Sequence, residues 1–257
     1  MTEIPKSHPR YASLVARERV AEGLKRGFTS SQGLIAQGRG ECFDYLLGER
    51  TTPSANSATR TAAALLLLAK RPSLSINGNV AALVPDEMVE LALVLNVPLE
   101  VNLFHRSEER VKKIADLLRQ KGAREVLGEH PDAMVTGLGH ARALATRGGI
   151  YDADVVLIPL EDGDRCEALL AMGKKVIAID LNPLSRTARK ATVSIVDNIL
   201  RAVPNLTKQV RQLSEDPLAD LDRVVREYDN ERVLREAVQE MQDHLAAQFQ
   251  RDKFSPI

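Results

Sequence analysis

The sequence predicts an α/β fold in which a parallel sheet with flanking helices follows a helical N-terminal region and precedes a helical C-terminal appendage. Three observations predict it. Residues 154–160, 175–181 and 192–196 are runs of aliphatic residues with few polar interruptions. A strand wetted on one face alternates, so these runs are strands buried on both faces, as in a parallel sheet. A helical stretch, 164–172, lies between the first two and stops at Gly173, the alternation that separates α/β from α+β. From Pro217 to Lys253 the chain becomes heavily charged with a single apolar stripe, which reads as helices outside the core. The division is residues 1–213, an α/β domain with its N-terminal helices, and 214–257, the appendage.

The elements follow in order. Residues 7–26 read as a helix, with Leu14, Val15, Val20 and Leu24 among charges and Gly27 at its stop. A Gly-rich stretch, 32–41, precedes an apolar helical stretch ending at Leu47 and Gly48. Residues 54–70 are an Ala- and Leu-rich helix ended by Pro72. A strand at 73–76 leads through Asn77-Gly78-Asn79 into one helical run to Leu95, and 98–103 is a second strand. Ser107 caps a helix whose Val111, Ile114, Leu117 and Leu118 share one face, closed by Gly122. Residues 125–127 make a short strand and 137–147 a weaker helix. Asp197 is placed to cap the helix after the last strand. In the appendage the spacing of Leu218, Leu221, Val225 and Tyr228 loses phase near Asp229-Asn230 before Leu234, Val238, Met241 and Leu245. That predicts two helices or one bent helix.

Lys plus Arg and Asp plus Glu number 35 each. Zero net charge argues against nucleic acid or an anionic membrane as partner, because polyanion binders carry a basic excess. With 4% aromatics and no Trp there is no base-stacking platform. The longest apolar run, 62–69, is far short of the ~20 residues of a membrane span. The opening Met1-Thr2-Glu3-Ile4-Pro5-Lys6 lacks a signal-peptide pattern, and two cysteines, Cys42 and Cys166, make no disulfide framework. A cytoplasmic location is expected. Neutrality conceals segregation: residues 186–211 hold six basic residues against Asp197 alone, and 216–253 hold ten acidic against six basic.

In an open parallel sheet, ligands bind beyond the carboxyl ends of the strands. Five such ends are polar: Asn77-Gly78-Asn79, residues 102–106, residues 161–165, Asp180-Leu181-Asn182 and Asp197-Asn198. Aliphatic strands emptying into Asn and Asp suit a nucleotide cleft, and the same residues also suit turns and helix caps. Asp180 stands out, since an acid at a strand end accepts both ribose hydroxyls. Arg186-Thr187, after the Pro183 turn, puts a cation and a hydroxyl at a helix start, an anion site unless Arg186, Arg189 and Lys190 are a solvated face. Neither G-x-x-x-x-G-K-[ST] nor G-x-G-x-x-G after a strand occurs. Gly38-Arg39-Gly40 is a fragment of such text, in which Arg39 suits a phosphate and the glycines would let backbone N–H groups approach it. Lys6-Ser7-His8-Pro9-Arg10 suits a phosphate or carboxylate, or is plain solvated charge. The five histidines show no zinc-binding spacing.

Several strings are more specific than generic nucleotide-fold text. Ile4-Pro5-Lys6-Ser7-His8-Pro9-Arg10-Tyr11, Gly38-Arg39-Gly40-Glu41 with Phe43-Asp44-Tyr45-Leu46-Leu47-Gly48-Glu49, Asn77-Gly78-Asn79, Glu100-Val101-Asn102-Leu103-Phe104, Pro159-Leu160-Glu161-Asp162-Gly163-Asp164-Arg165 and Ile179-Asp180-Leu181-Asn182-Pro183-Leu184-Ser185-Arg186-Thr187-Ala188-Arg189 together resemble the archaeal phosphopantothenate synthetase (4-phosphopantoate–β-alanine ligase) family. The likeness runs from about residue 4 to about residue 213, departs at Gln37 and Cys42, and does not reach the tail.

The resemblance implies a Rossmann-like, homodimeric ligase of coenzyme A biosynthesis. It would condense 4-phosphopantoate with β-alanine to 4′-phosphopantothenate, consuming ATP with Mg²⁺ and releasing AMP and diphosphate. Carried over by motif, ATP contacts fall on Arg17, Arg39, Asp180, Leu181, Asn182, Arg186, Thr187, Asn198 and Ile199. Arg39, Asn102 and Arg165 are the catalytic candidates, and Lys6, His8, Arg10, Asn77 and Asn79 the substrate-binding ones. Glu161 and Asp162 are candidates for Mg²⁺ and, with Asp164, for the β-alanine ammonium. The competing readings are a dinucleotide-dependent oxidoreductase, against which the missing G-x-G-x-x-G counts, and a non-catalytic nucleotide sensor using the same cleft.

Overall fold

The computed structural model describes residues 4–250. Residues 1–3, part of the opening read for a signal peptide, and 251–257, the end of the acidic appendage, lie outside the described residues. Three helices come first: α1 (Tyr11–Lys25), α2 (Ser31–Leu47) and α3 (Pro53–Leu68). Helix α1 begins later than the predicted residue 7 and ends before Gly27, whose φ of 81° closes it. Ser30 caps α2 and Thr52 caps α3, which carries Pro53 at its first position.

The Gly-rich stretch 32–41 does not precede α2 but lies inside it. A helix tolerates such glycines when packing supplies what propensity lacks. Gly33 answers a close approach: a Cβ there would sit 2.2 Å from Thr29 Oγ1 and 2.5 Å from Asn79 Oδ1.

The sheet then builds from β1 (Pro72–Ile76), α4 (Gly78–Leu83), α5 (Pro85–Leu95), β2 (Leu99–Val101), α6 (Glu108–Gln120) and β3 (Val126–Leu127). The expected single helical run to Leu95 is two helices, divided where Pro85 removes a backbone donor. The expected helix at 137–147 is instead a hairpin, β4 (Ala133–Met134) against β5 (Leu144–Ala145), enclosing a short 3-10 turn at Ala141–Ala143. Gly137 at φ 86° interrupts a helix there, and His140 Nδ1 accepts the Arg142 N–H to close the turn.

The second half runs β6 (Val155–Pro159), α7 (Gly163–Ala171), β7 (Lys175–Ile179), α8 (Arg186–Lys190), β8 (Val193–Ile195) and α9 (Ile199–Leu213). Asn198, not Asp197, caps α9, its side chain accepting from Leu200 N. Asp197 instead accepts from Thr51 and Arg201.

The six main strands form one parallel sheet in the order β3-β2-β1-β6-β7-β8. Alternate residues face opposite sides. Leu74, Ile76, Leu157, Ile177 and Ile179 join the core under α3, α5 and α9, while Val156, Ile158, Val176 and Ala178 join one with Cys166 and Leu169 of α7. Burial on both faces is what the unbroken aliphatic runs required.

The tail forms α10 (Leu218–Arg226) and α11 (Asn230–Gln250), divided at Asp229-Asn230 as the phase slip predicts. The middle of its stripe is covered by the rest of the chain, while Leu218 and Leu245 at the two ends stay exposed. Leu234, Ala237 and Met241 are buried with Leu47, Leu181, Ala188 and Val196. Glu240 accepts from Ser54 N at 3.0 Å and Ser54 Oγ at 2.5 Å. Among the described residues no helix is long and apolar enough to cross a membrane. Met241→Ala should therefore lower unfolding stability by at least about 2 kcal/mol, measured by urea denaturation.

Candidate active site

Strand order reverses between β1 and β6, the crevice where an open α/β sheet binds ligands. Asn77 holds this crevice. Its Oδ1 accepts from Asn79 N and Val80 N to cap α4, and its Nδ2 donates to Pro159 O at 2.9 Å and Leu160 O at 3.0 Å across the gap. Gly78 follows because a Cβ there would lie 2.3 Å from Phe28 O. Leu160 takes φ 51°, a strained value for a branched side chain, at the mouth of β6.

A cavity of about 740 Å³ opens above the crevice. One wall is α2 with the turn before it, from Thr29 to Phe43; the other is built from the loops after β1, β2, β6 and β7, with Arg110 of α6 and Arg142 of the hairpin. Of the residues singled out from sequence, Arg39, Asn77, Asn79, Glu161, Asp162, Asp180, Leu181, Asn182, Arg186 and Thr187 line it.

The glycines beside Arg39 do not present free backbone N–H groups, as their position in a loop would have allowed. They lie in mid-helix, and what reaches the cavity is the Arg39 side chain. Asp180 accepts from Asn182 N at 2.9 Å and from Ser185 Oγ, so it shapes the turn into α8 while facing the cavity. Burial raises its pKa against the pull of Ser185, Asn182 and Arg39. Thr187 Oγ1 donates to Glu161 O at 2.9 Å, tying the β7 loop to the β6 loop.

Other candidates lie apart from the cavity lining. Arg17 and Arg10 gather with Tyr45 around Glu41 on the α1–α2 surface, Arg17 Nε standing 2.9 Å from Glu41 Oε2. Burial works to raise Glu41, but hydrogen bonds from Arg17, Ser13 and Tyr45 hold it below its ordinary value. His8 Nδ1 accepts from Arg10 N in the turn before α1, and Lys6 is exposed nearby. Asn198 Nδ2 donates to Asp44 Oδ2 at 2.7 Å, within a network in which Arg201 pairs with Asp44 and Asp197; Ile199 is buried behind it.

Asn102 and Arg165 lie in the wall behind the cavity. Asn102 Nδ2 donates to Leu144 O at 2.8 Å, and its Oδ1 is buried without a partner. Arg165 is fully buried, with Nη1 2.5 Å from Glu161 Oε2 and 3.0 Å from Ser75 Oγ. Glu161 also receives Arg142 Nη1 at 2.7 Å on the same oxygen, and its Oε1 accepts Asp162 N at 3.0 Å. A carboxylate so committed does not fit as a resident metal ligand. Among the described residues no three His, Cys, Asp or Glu side chains cluster to hold one.

Two cavity-lining arginines escaped the sequence reading. Arg142 sits in the hairpin mistaken for a helix. Arg110 follows the Ser107 cap, where a charge reads as a solvated helix face; its Nη2 donates to Phe28 O at 2.7 Å.

The family model for phosphopantothenate/pantothenate synthetase matches residues 54–244, continuing through the tail where the motif resemblance stops. The chain belongs to this family. It is 58% identical over 245 residues to the 4-phosphopantoate–β-alanine ligase of Methanosarcina mazei, covering 95% of this chain and 96% of that protein. It is 54% identical to the protein of the same name from Thermococcus onnurineus and 52% to that of Thermococcus kodakarensis, each over 246 residues, 95% of this chain and 94% of the relative.

Behind the synthetase cavity lies a second buried acid. Glu100, paired in register with Ser75, accepts from Thr146 N at 3.0 Å and Ile150 N at 2.7 Å. Burial pushes its pKa up to about 7, against these bonds and the charge of Arg165. The folded protein thus holds this proton more tightly than the unfolded chain, and stability is lost as pH rises from about 4.5 through about 7. Urea unfolding should show a decline of about 1–3 kcal/mol between pH 5 and pH 8. Glu100→Gln should flatten that slope, whatever it does to absolute stability.

Proposed function

We propose that the protein is an ATP-dependent acid–amino-acid ligase that joins 4-phosphopantoate to β-alanine, giving 4′-phosphopantothenate, AMP and diphosphate. The observation that carries this reading is one continuous cavity at the switch point. It joins the Asp180–Arg186 turn, suited to a nucleotide, to the Asn77 and Asn79 wall, suited to a polar acid. The relatives' names supply the substrates. The oxidoreductase reading gains no support from them, and a sensor without turnover has no counterpart among those names.

The chemistry follows from what a carboxylate lacks. Its oxide is a poor leaving group, so amide formation needs activation. A carboxylate oxygen of 4-phosphopantoate attacks the α-phosphorus of ATP, and the bond from that phosphorus to the bridging oxygen breaks to release diphosphate. The β-alanine amine, having lost a proton, then attacks the acyl carbon and AMP departs. Arginines suit this site because each can meet two anionic oxygens at once. Arg39 and Arg186 are assigned to phosphates, Asp180 to the ribose, and Asn77 and Asn79 to holding the crevice against which the acid lies. Mg²⁺ enters with the nucleotide as part of that substrate. Orientation and prearranged charge supply the rate in this reading, with no covalent residue. Cys166, buried and pushed up to about 12, is no nucleophile.

We further assign the enzyme to a homodimer and to the cytoplasm, as expected for its class. The decisive assay mixes the protein with 4-phosphopantoate, β-alanine, ATP and Mg²⁺ and follows AMP. Its absence, with no phosphopantothenate formed, would overturn the reading. Arg39→Ala, at an exposed helix position, should leave the melting temperature unchanged and lower kcat/KM about tenfold to a hundredfold, the equivalent of one charged hydrogen bond.

A further inference from the structure

Arg142 and Asp162 stand side by side on the cavity wall, and the nucleotide reading uses neither. The Arg142 side chain is 7% exposed. Its Nη1 donates to Glu161 Oε2 and to Asn102 O, and its buried Nε has no partner. Its Nη2 lies 3.5 Å from Asp162 Oδ2, too far for a strong hydrogen bond. The Asp162 side chain is half-exposed. One carboxylate frames both residues: Glu161 grips Arg142 through Oε2 and the Asp162 backbone through Oε1, while Arg165 anchors Glu161 to Ser75 of β1.

Charge decides what fits here. Arg142 and Arg165 against Glu161 and Asp162 leave this wall neutral, with one cation and one anion presented next to each other. A phosphate dianion meets repulsion from Asp162, and Arg39, Arg110 and Arg186 offer it cations elsewhere in the cavity. A small zwitterion matches the pair in sign at both ends.

We propose that Arg142 and Asp162 form the subsite for the amino-acid substrate, Arg142 taking its carboxylate and Asp162 its ammonium, with Glu161 the positioning residue that holds both. This rests on the ligase reading. The amino acid is then recognised by spacing as well as charge, because the guanidinium and the carboxylate are fixed relative to one another through a single side chain.

The test is steady-state kinetics on the full-length protein, with each of the three substrates varied in turn. ATP–diphosphate exchange without β-alanine reports the first half-reaction. Asp162→Asn should raise the β-alanine KM about 10- to 100-fold, with the KM values for ATP and 4-phosphopantoate within about twofold of wild type. Glu161→Gln should move the β-alanine KM the same way, and Arg142→Lys should recover part of the loss seen in Arg142→Gln. Should Arg142→Gln fail to fold, Asp162→Asn decides alone, since its half-exposed side chain carries little packing. An unchanged β-alanine KM in Asp162→Asn, or a loss falling on the other two substrates or on exchange, overturns the subsite and leaves the ligase reading standing. A wild-type protein that forms neither AMP nor exchange product overturns the ligase reading and the subsite with it.

Discussion

Asn77 spends its amide on both sides of a gap. Its oxygen caps α4 on the β1 side, and its nitrogen reaches two carbonyls at the end of β6. No backbone ladder joins the loops that leave β1 and β6 in opposite directions, so a side chain must set their separation. The cavity floor inherits its width from that bridge. Asn79 continues it, donating to Gly33 O and accepting from Thr29, so α2 is referenced to the same point. A one-methylene change at residue 77 would alter the distance between the two halves of the site, whereas a change at a helix cap alone costs only about 1 kcal/mol.

Behind the floor the protein buries charge on a scale that stability alone does not explain. Arg165 is wholly enclosed, and its Nε and Nη2 find no partner among the described residues. Buried ion pairs seldom gain over well-packed apolar residues of the same volume, and each unpartnered donor costs roughly 1–3 kcal/mol. Arg165 is better understood through Glu161. A carboxylate beside a cavity wanders unless something fixes its place, and the buried guanidinium does so. The cost is borne where the geometry matters for the residues in front.

The parts of this molecule that the chain announces locally were legible. The three aliphatic runs became β6, β7 and β8, the Ser107 cap and its apolar face became α6, and the slip at Asp229-Asn230 became the break between α10 and α11. What failed was decided at a distance. The Gly-rich stretch 32–41 read as preceding the helix because propensity is local, yet it lies inside α2, which is held by neighbours from α1, α4 and α11. Residues 137–147 read as a helix, yet they pack as a hairpin because Val135 and Ala145 join Val156 and Ile158 on one face of the sheet. That error hid Arg142. The strand-end rule located Asn77, Glu161 and Asp180 and left a ligand and a turn or cap both open for them; each shapes the loop it stands in. The Asp197-Asn198 end, equally polar in sequence, turned toward Asp44 and Arg201.

The neutral composition conceals one further dependence. The acidic tail could have balanced the basic segment from anywhere on the surface, but α11 packs against the proposed nucleotide end. Leu181 belongs to both: it lines the cavity next to Asp180 and packs with Leu234, Ala237 and Met241. Ala188, one turn into α8, is buried in the same cluster, and Asn230 Nδ2 donates to its carbonyl at 2.9 Å. The turn carrying Asp180, Asn182 and Arg186 is therefore clamped from behind by a segment that sequence alone sets outside the core. A loop that must hold an acid, an amide and a cation in fixed relation cannot rely on its own few hydrogen bonds, because a short connection on the surface opens at little cost. Packing α11 against it converts local order into a share of the stability of the whole chain.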